Sequence, residues 1–143
     1  SDNVWDLYCG AGTITLAAAR RSGSALGIEL NEGAVADARA NATLNGVGNV
    51  EFIAGDLKDV VEKVRGIPDV VITDPPRAGM HEDVVRRLME LGPRRISYVS
   101  CNPTTQARDC AILAERYAVD FVQPVDMFPQ TYHIETVARL TLR

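Results

Sequence analysis

Apolar and polar residues follow a regular order along this chain, in which short apolar runs alternate with longer amphipathic stretches. The short runs, rich in β-branched and aromatic residues, predict strands over residues 4–8, 25–30, 50–53, 69–73, 95–99, 119–123 and 135–142. The longer stretches predict helices over residues 13–21, 31–44, 57–64, 81–91 and 104–116. No internal repeat or linker interrupts this alternation.

The alternation of strands and helices predicts an α/β fold, an open and mostly parallel sheet with helices on both faces. The connection over residues 124–133 has no helical pattern, so we expect the last strand to return antiparallel beside the sixth. Open sheets of this kind bind ligands at the carboxyl ends of their strands. Polar and reactive side chains follow most of the predicted strands, which makes them the candidate functional residues.

Composition and charge narrow the class of protein. The 143 residues are 46% hydrophobic and 24% charged, which is typical of one globular domain with a sizeable core. The net charge of −4 and the pI near 5.1 disfavour a domain that binds a nucleic-acid backbone strongly by itself.

Membrane, secretory and metal-binding signals are not recognisable. No apolar run is long enough to span a membrane, and no secretory signal is seen. The three cysteines, Cys9, Cys101 and Cys110, include no C-x-x-C pair, and no spacing of histidine, cysteine and aspartate resembles a zinc site. We therefore expect a reduced, cytoplasmic protein that binds no metal through these residues and contacts no membrane.

A pattern for binding a nucleoside follows the first three strands. Gly10 and Gly12 form a G-x-G turn, which lets a ligand approach the backbone at the start of a helix. Glu29 lies 17 residues beyond Gly12, at a strand end where a carboxylate can accept both hydroxyls of a ribose. Asp56 follows the third strand and can accept from an adenine amino group. Together these residues predict an adenosyl pocket.

Two other interpretations of this pattern stay open. Glu29 and Asp56 could be surface caps before helices, or the ligand could be a dinucleotide such as NAD. Thr15 stands where the dinucleotide fingerprint G-x-G-x-x-G needs its third glycine, which disfavours the dinucleotide.

A stiff turn follows the fourth strand. Pro75 and Pro76 fix the backbone and remove hydrogen-bond donors, so the turn presents Asp74 and Arg77 at the ligand edge. The alternative is an ordinary loop in which the aspartate caps a helix.

Two candidate reactive groups lie in the second half of the chain. Cys101 follows the fifth strand and precedes a helix, where backbone donors and the helix dipole can stabilise a thiolate. Glu135 opens the last, otherwise apolar strand, where burial can raise the pKa of a carboxyl and let it accept a proton near neutral pH. The alternatives are an inert core cysteine and a solvated glutamate. Cys9 and Cys110 are interpreted as packing residues.

Four motifs make the chain resemble a known family. They are Asp6-Leu7-Tyr8-Cys9-Gly10-Ala11-Gly12, Asp74-Pro75-Pro76-Arg77-Ala78-Gly79, Ser100-Cys101-Asn102-Pro103-x-Thr105-x-Ala107-Arg108-Asp109 and Asp126-Met127-Phe128-Pro129-x-Thr131-x-His133-x-Glu135. They are similar to motifs of the RNA 5-methyluridine methyltransferases, which use S-adenosylmethionine to modify uridine in 23S ribosomal RNA or in the T-loop of transfer RNA. The resemblance extends over essentially the whole chain and implies the Rossmann-like fold of class I methyltransferases.

The resemblance implies a role for each matching residue. Cys101 corresponds to the nucleophile and Glu135 to the base. The residues that correspond to the S-adenosylmethionine site are Tyr8, Gly10, Gly12, Thr13, Glu29, Asp56 and Asp74. Arg77 and Asn102 fall on the substrate side, where Arg77 could hydrogen-bond a uracil carbonyl or an RNA phosphate.

The implied chemistry explains why both reactive groups are needed. Uracil C5 is a poor nucleophile, so a thiolate must first add at C6 before C5 can take the methyl group. A base then removes the C5 proton so that the thiol can leave. The target uridine has to be splayed out of the RNA to reach such a site.

Family members also contain parts that this sequence does not show. They carry an N-terminal β-barrel RNA-binding domain, some with an iron–sulfur cluster, and a glutamine upstream of the first strand. We therefore expect residues 1–143 to be the catalytic domain of a longer protein that binds ribosomal or transfer RNA mainly through the missing domain. A methyltransferase acting on a nucleobase amine and an inactive nucleotide-binding module are the alternatives. Arg77 disfavours the first, and the joint presence of Cys101 and Glu135 disfavours the second.

Overall fold

Seven strands and five helices make up the chain, and the computed structural model describes residues 1–143 in full. The strands are β1 (Asn3–Leu7), β2 (Ser24–Glu29), β3 (Val50–Ala54), β4 (Val70–Thr73), β5 (Arg95–Ser100), β6 (Tyr117–Val125) and β7 (Glu135–Leu142). The helices are α1 (Thr13–Ala19), α2 (Glu32–Leu44), α3 (Leu57–Lys63), α4 (Glu82–Leu91) and α5 (Pro103–Leu113). Every element predicted from the apolar pattern is present, which confirms the α/β fold.

The strands form one sheet in the order β3-β2-β1-β4-β5-β7-β6. Strands β1 to β5 are parallel, and β7 is antiparallel to both β5 and β6. The prediction of a mostly parallel sheet with an antiparallel last strand is confirmed. The sequence pattern does not predict that β7 inserts between β5 and β6. Ala138 and Leu140 of the interior strand β7 are buried, whereas most of β6, at the edge of the sheet, is exposed.

Helices cover both faces of the sheet, as predicted. On one face, α1 and α2 enclose a cluster of six buried residues that includes Phe52. On the other face, α3, α4 and α5 pack on a cluster of 19 buried residues that includes Trp5, Tyr98 and Tyr117. Phe52 and its neighbour Ile53 contact different clusters, because successive residues of a strand point to opposite faces.

Two helices end earlier than predicted. Helix α1 ends at Ala19 and α5 at Leu113, and the next residues form tight turns in which Arg21 donates to Ala18 and Arg116 to Leu113. Turns with this three-residue spacing commonly close a helix. The longest helix has 13 residues, and no helix has the length and apolarity that crossing a membrane requires.

The topology gathers the candidate residues at one edge. Strands β1 to β5 end at this edge and the antiparallel β7 begins there. The residues that follow the parallel strands and the residue that opens β7 are therefore neighbours, at the place where open α/β sheets bind ligands.

Candidate active site

The turn after β1 is built from left-handed backbone. Tyr8, Gly10 and Gly12 have φ angles of 64°, 53° and 83°, a region that residues with a side chain rarely adopt. A Cβ atom on Gly12, the N-cap of α1, would lie 2.9 Å from the ring of Phe52. Both the backbone and the packing therefore require glycine at position 12, and α1 begins with the exposed Thr13.

The carboxylate of Glu29 is oriented by two backbone donors. The Gly10 N–H donates to Oε2 at 3.0 Å, and the Asn31 N–H donates to Oε1 at 3.0 Å. Each oxygen can accept a further hydrogen bond, so the carboxylate stays able to bind two hydroxyls of a ribose. Glu29 is not a helix cap, because Asn31 caps α2 by accepting from the Ala34 N–H at 3.1 Å.

Asp56, in contrast, does cap a helix. Its Oδ1 accepts from the Lys58 N–H at 3.0 Å at the start of α3. The second carboxylate oxygen takes no part in the cap, and the residue also borders a cavity. The capping interpretation and the ligand-binding interpretation are therefore compatible at this position.

One cavity brings together four of the residues predicted to bind the cofactor. Tyr8, Glu29, Asp56 and Asp74 all border a cavity of about 880 Å³, a volume typical of small-molecule sites. Gly10, Gly12 and Thr13 do not border this cavity. Gly10 contributes to it through its hydrogen bond to Glu29.

Negative charge is concentrated around this cavity. Burial and the charge of Glu135 raise the pKa of Asp74. Burial raises the pKa of Asp6 to about 6 despite a hydrogen bond from Thr15, and the charge of Asp74 adds to the increase. A nearby cation stabilises carboxylates whose negative charges repel one another. This environment therefore favours a positively charged ligand.

The predicted nucleophile and base lie at the adjoining ends of two neighbouring strands, β5 and β7. In the antiparallel pair of β5 and β7, Ser100 is opposite Thr136. Cys101 directly follows Ser100 and Glu135 directly precedes Thr136, so both residues adjoin the last pair at the same edge of the sheet. Both residues are half-buried. The charge of Glu135 also raises the pKa of Asp74, which follows β4.

Asn102 and Arg77, predicted on the substrate side, are linked through the backbone. Asn102 caps α5, where its Oδ1 accepts from the Thr104 N–H at 3.1 Å. Its Nδ2 donates to the carbonyl of Arg77 at 3.1 Å. Asn102 thus holds the turn after β4 against α5, while the Arg77 side chain is exposed at the edge.

Cys9 and Cys110 are poor nucleophiles for an electrostatic reason. Burial raises the pKa of the Cys9 thiol to about 12, and the charges of Asp6 and Glu29 add to the effect. Burial and the charge of Asp109 raise the pKa of the Cys110 thiol to about 11. Both stay protonated near neutral pH, whereas the thiolate is the nucleophilic form. Their contacts with the two core clusters confirm that they are packing residues.

Three charged residues near the cavity are not assigned by sequence reasoning. Asp6 is 1% exposed within an apolar strand, and an acid in such a run is itself a signal, since burying a carboxylate is costly. Arg108 and Asp109 border the cavity from α5, and Asp109 is 1% exposed. Their signal is helical spacing from Thr105, three and four residues earlier, which places them on the same side of the helix as Thr105. No group of three or more histidine, cysteine, aspartate or glutamate residues is placed to hold a metal ion.

Comparison with protein families and curated proteins gives consistent matches. The family model described as tRNA (Uracil-5-)-methyltransferase matches residues 1–143. A protein of Bacteroides thetaiotaomicron named an uncharacterized RNA methyltransferase is 51% identical over 144 residues, which covers 98% of this chain and 32% of that protein. A protein of Porphyromonas gingivalis with the same name is 52% identical, with 96% and 31% covered. The chain thus spans about a third of the length of these relatives.

Solved structures give a similar result. The Pyrococcus abyssi tRNA (uracil-54, C5)-methyltransferase in complex with S-adenosyl-L-homocysteine superposes with a TM-score of 0.89 at 42% identity, covering 99% of this chain and 34% of that one. The magnesium protoporphyrin IX methyltransferase of Synechocystis with bound SAM superposes with a TM-score of 0.81 at 17% identity, covering 100% and 71%. The second structure shares the fold alone.

Proposed function

The chain belongs to the tRNA (uracil-5-)-methyltransferase family, and from this premise we propose that the intact protein methylates C5 of a uridine in RNA with S-adenosylmethionine. The fold is that of class I methyltransferases, in agreement with the resemblance seen in the sequence. Because the chain covers about a third of its relatives, the activity, the cofactor and the RNA substrate of the intact protein are proposals.

The cavity at the ends of β1 to β4 fits S-adenosylmethionine. Glu29 is oriented to accept from the ribose hydroxyls, and Asp56 lies on the same cavity for the adenine amino group. Tyr8 supplies an aromatic wall, and Asp74 a carboxylate on the side of Glu135. The surplus of carboxylates suits the positive sulfonium of this cofactor. When bound, S-adenosylmethionine supplies an electrophilic methyl group.

Cys101 and Glu135 divide the chemistry of the uracil ring between them. The Cys101 thiolate adds to C6, and the electron pair of the C5–C6 double bond moves into the ring as an enolate, which makes C5 nucleophilic. After C5 has taken the methyl group, Glu135 accepts the C5 proton. The electrons of that C–H bond re-form the C5–C6 double bond, and the bond from C6 to sulfur breaks, releasing Cys101 as a thiolate.

The positions of Cys101 and Glu135 directly beyond the Ser100–Thr136 pair are the observation that supports this proposal most directly. A nucleophile and a base that act on adjacent carbons of one ring have to lie at the same part of the site. The test is to incubate the intact protein with S-adenosylmethionine and RNA containing 5-fluorouridine, whose C5 carries no removable proton after methylation. We expect a covalent protein–RNA adduct that Cys101→Ala abolishes. An adduct that persists in Cys101→Ala contradicts the assignment.

Transfer RNA is the first substrate to test. The family description and the Pyrococcus structure both name transfer RNA, while ribosomal RNA is the other substrate class of the resemblance. We expect a strain that lacks the intact protein to lose 5-methyluridine at one site. Mapping this nucleoside in the two RNA classes identifies which of them contains the site.

RNA affinity is proposed to reside mainly outside residues 1–143. The net charge of −4 gives this part little attraction for a phosphate backbone. We expect the 143-residue chain to bind transfer RNA much more weakly than the intact protein does in a fluorescence-anisotropy titration. Equal affinities contradict this part of the proposal.

A further inference from the structure

One side of α5 binds the backbone of the turn after β4. The residues involved, which we call the backbone clamp, are Asn102, Thr105, Arg108 and Asp109. Thr105 lies three positions after Asn102, and Arg108 and Asp109 lie three and four positions after Thr105, so they share one side of the helix. Asn102 Nδ2 and Thr105 Oγ1 each donate to the carbonyl of Arg77 at 3.1 Å. Both residues therefore hold the first part of the turn by its main chain.

Arg108 and Asp109 hold the end of the same turn. Asp109 Oδ2 accepts from the Met80 N–H at 2.8 Å and from the Tyr98 hydroxyl at 2.7 Å. Its Oδ1 accepts from Arg108 Nε at 2.9 Å. Arg108 Nη2 donates to the carbonyls of Ala78 at 3.0 Å and Met80 at 3.3 Å. A buried carboxylate with all these partners is well satisfied, and such networks stiffen the structure around them.

The turn approaches the clamp so closely that a side chain cannot fit between them. Gly79 has a φ of 82°. A Cβ at this position would lie 2.6 Å from Arg108 Nη2 and 2.8 Å from Asp109 Oδ2. Glycine is therefore needed here for both conformation and space, and the two charged groups contact the main chain directly.

We propose that Arg108 and Asp109 are positioning residues of the active site. Helix α5 begins two residues after Cys101, and the clamped turn begins at Asp74, so clamping the turn sets Asp74 and Arg77 in a fixed position relative to Cys101. The catalytic consequence rests on the proposed function, whereas the attachment of the turn to α5 can be measured without any activity. The clamp also explains why Thr105, Arg108 and Asp109 stand in the cysteine motif, although none of them takes part in the proposed chemistry.

The test compares Asp109→Asn and Arg108→Met with the wild-type intact protein. Arg86→Met is the matched control, because Arg86 is exposed on α4 and pairs only with Glu82. Two quantities are measured: hydrogen–deuterium exchange of residues 77–80 in the free protein, and the rate of adduct formation on 5-fluorouridine RNA at saturating S-adenosylmethionine. We expect faster exchange in both clamp variants and adduct formation slower by about tenfold to a hundredfold, as for other small misplacements of reacting groups. The final amount of adduct is expected to stay that of the wild-type protein, whereas a general loss of folded protein would lower it.

Each result has a defined meaning. Faster exchange with a wild-type adduct rate overturns the positioning role, and wild-type exchange overturns the clamp itself. Arg108→Met keeps the test valid if Asp109→Asn does not fold, because the Arg108 side chain is 53% exposed. If the wild-type protein forms no adduct on any RNA, the proposed function fails and the catalytic role of the clamp fails with it. The exchange data then still decide whether the clamp fixes the turn.

Discussion

The site has two parts that are held in opposite ways. The cofactor half is the part around Glu29, proposed to bind the cofactor, and the reaction half is the part formed by Cys101, Glu135 and the turn after β4. In the cofactor half, main-chain N–H groups of Gly10 and Asn31 donate to the side chain of Glu29. In the reaction half, side chains of α5 such as Asn102 and Arg108 donate to main-chain carbonyls. A main-chain N–H donor is kept in most substitutions, whereas a side-chain donor is lost when its own residue is replaced. Binding of the proposed cofactor should therefore tolerate substitution better than the arrangement of the proposed reacting groups, which depends on a few side chains.

The largest effect is expected from Glu135→Gln, which should separate the two halves. The amide cannot accept the C5 proton, so turnover should fall by about 10²–10⁴-fold, the usual contribution of a general base. Cofactor affinity should fall far less than turnover in isothermal titration calorimetry, because Glu29 and its donors are untouched and only the charge beside Asp74 is lost. Glu51→Gln, exposed on β3, is the control. Equal losses of turnover and cofactor affinity would show that the halves are not separable.

Substitution of Asp6, which lies between the two halves, should change stability in a pH-dependent way. It is bonded to Thr15 of α1 and senses the charge of Asp74. Its pKa is raised from 3.8 to about 6 in the folded protein, so its contribution to stability is present below about pH 4 and is lost as the pH rises through 6. Asp6→Asn has no such loss and should gain stability relative to wild type over this range, by up to about 3 kcal/mol. Urea unfolding at pH 4 and pH 7 measures the difference, and a gap between the two proteins that is independent of pH contradicts the raised pKa.

Glu29→Ala should affect the cofactor half alone. Loss of charge-assisted hydrogen bonds to the ribose should weaken S-adenosylmethionine binding by about 1.5–3 kcal/mol. The rate at saturating cofactor should remain that of wild type, because the reaction half keeps its contacts. Calorimetry and steady-state kinetics measure the two quantities, with Glu51→Ala as the control. A reduced rate at saturation would mean that Glu29 also affects the position of the reacting groups.

The smallest effect is expected from Gly10→Ala. Nothing lies within 4 Å of the added Cβ, so the change should cost only the strain of a left-handed backbone, about 1–2 kcal/mol of the free energy of unfolding. Gly79→Ala is the matched variant in the reaction half, and it should cost more because its Cβ meets Arg108 and Asp109. Thermal unfolding of both variants measures the difference. Equal losses would remove the structural contrast between the halves.

Local patterns were sufficient to predict the elements and the ligand edge. Apolar periodicity is a property of neighbouring residues, so it predicted all strands and helices, and strand ends then located Glu29, Asp74 and Cys101. The proposed roles of these residues come from the resemblance and stay predictions. That Cys101 and Glu135 adjoin the same strand pair follows from the β5–β7 register, which no local pattern contains.

Non-local features could not be predicted in this way. The place of β7 depends on which of the two late strands packs one face against the core, a property of the assembled sheet. Asp109 has the sequence context of a solvated helical residue, yet it is 1% exposed, because the turn after β4 folds over it. Asp56 shows a third case, in which one carboxylate caps a helix and borders a cavity, so that the capping interpretation does not exclude the ligand-binding one.

The insertion of β7 between β5 and β6 also has a consequence for how the protein is made. On the ribosome, β6 emerges before β7, but β6 has no partner in the sheet until β7 has followed it. The apolar side chains of β6, among them Phe121 and Val122, therefore stay unpaired until the last strand has emerged, a delay set by synthesis at about 5–20 residues per second. Glu135, the proposed base, opens β7, so this part of the site is completed only after β7 has emerged, when the strands that carry Glu29 and Asp56 have already been synthesised.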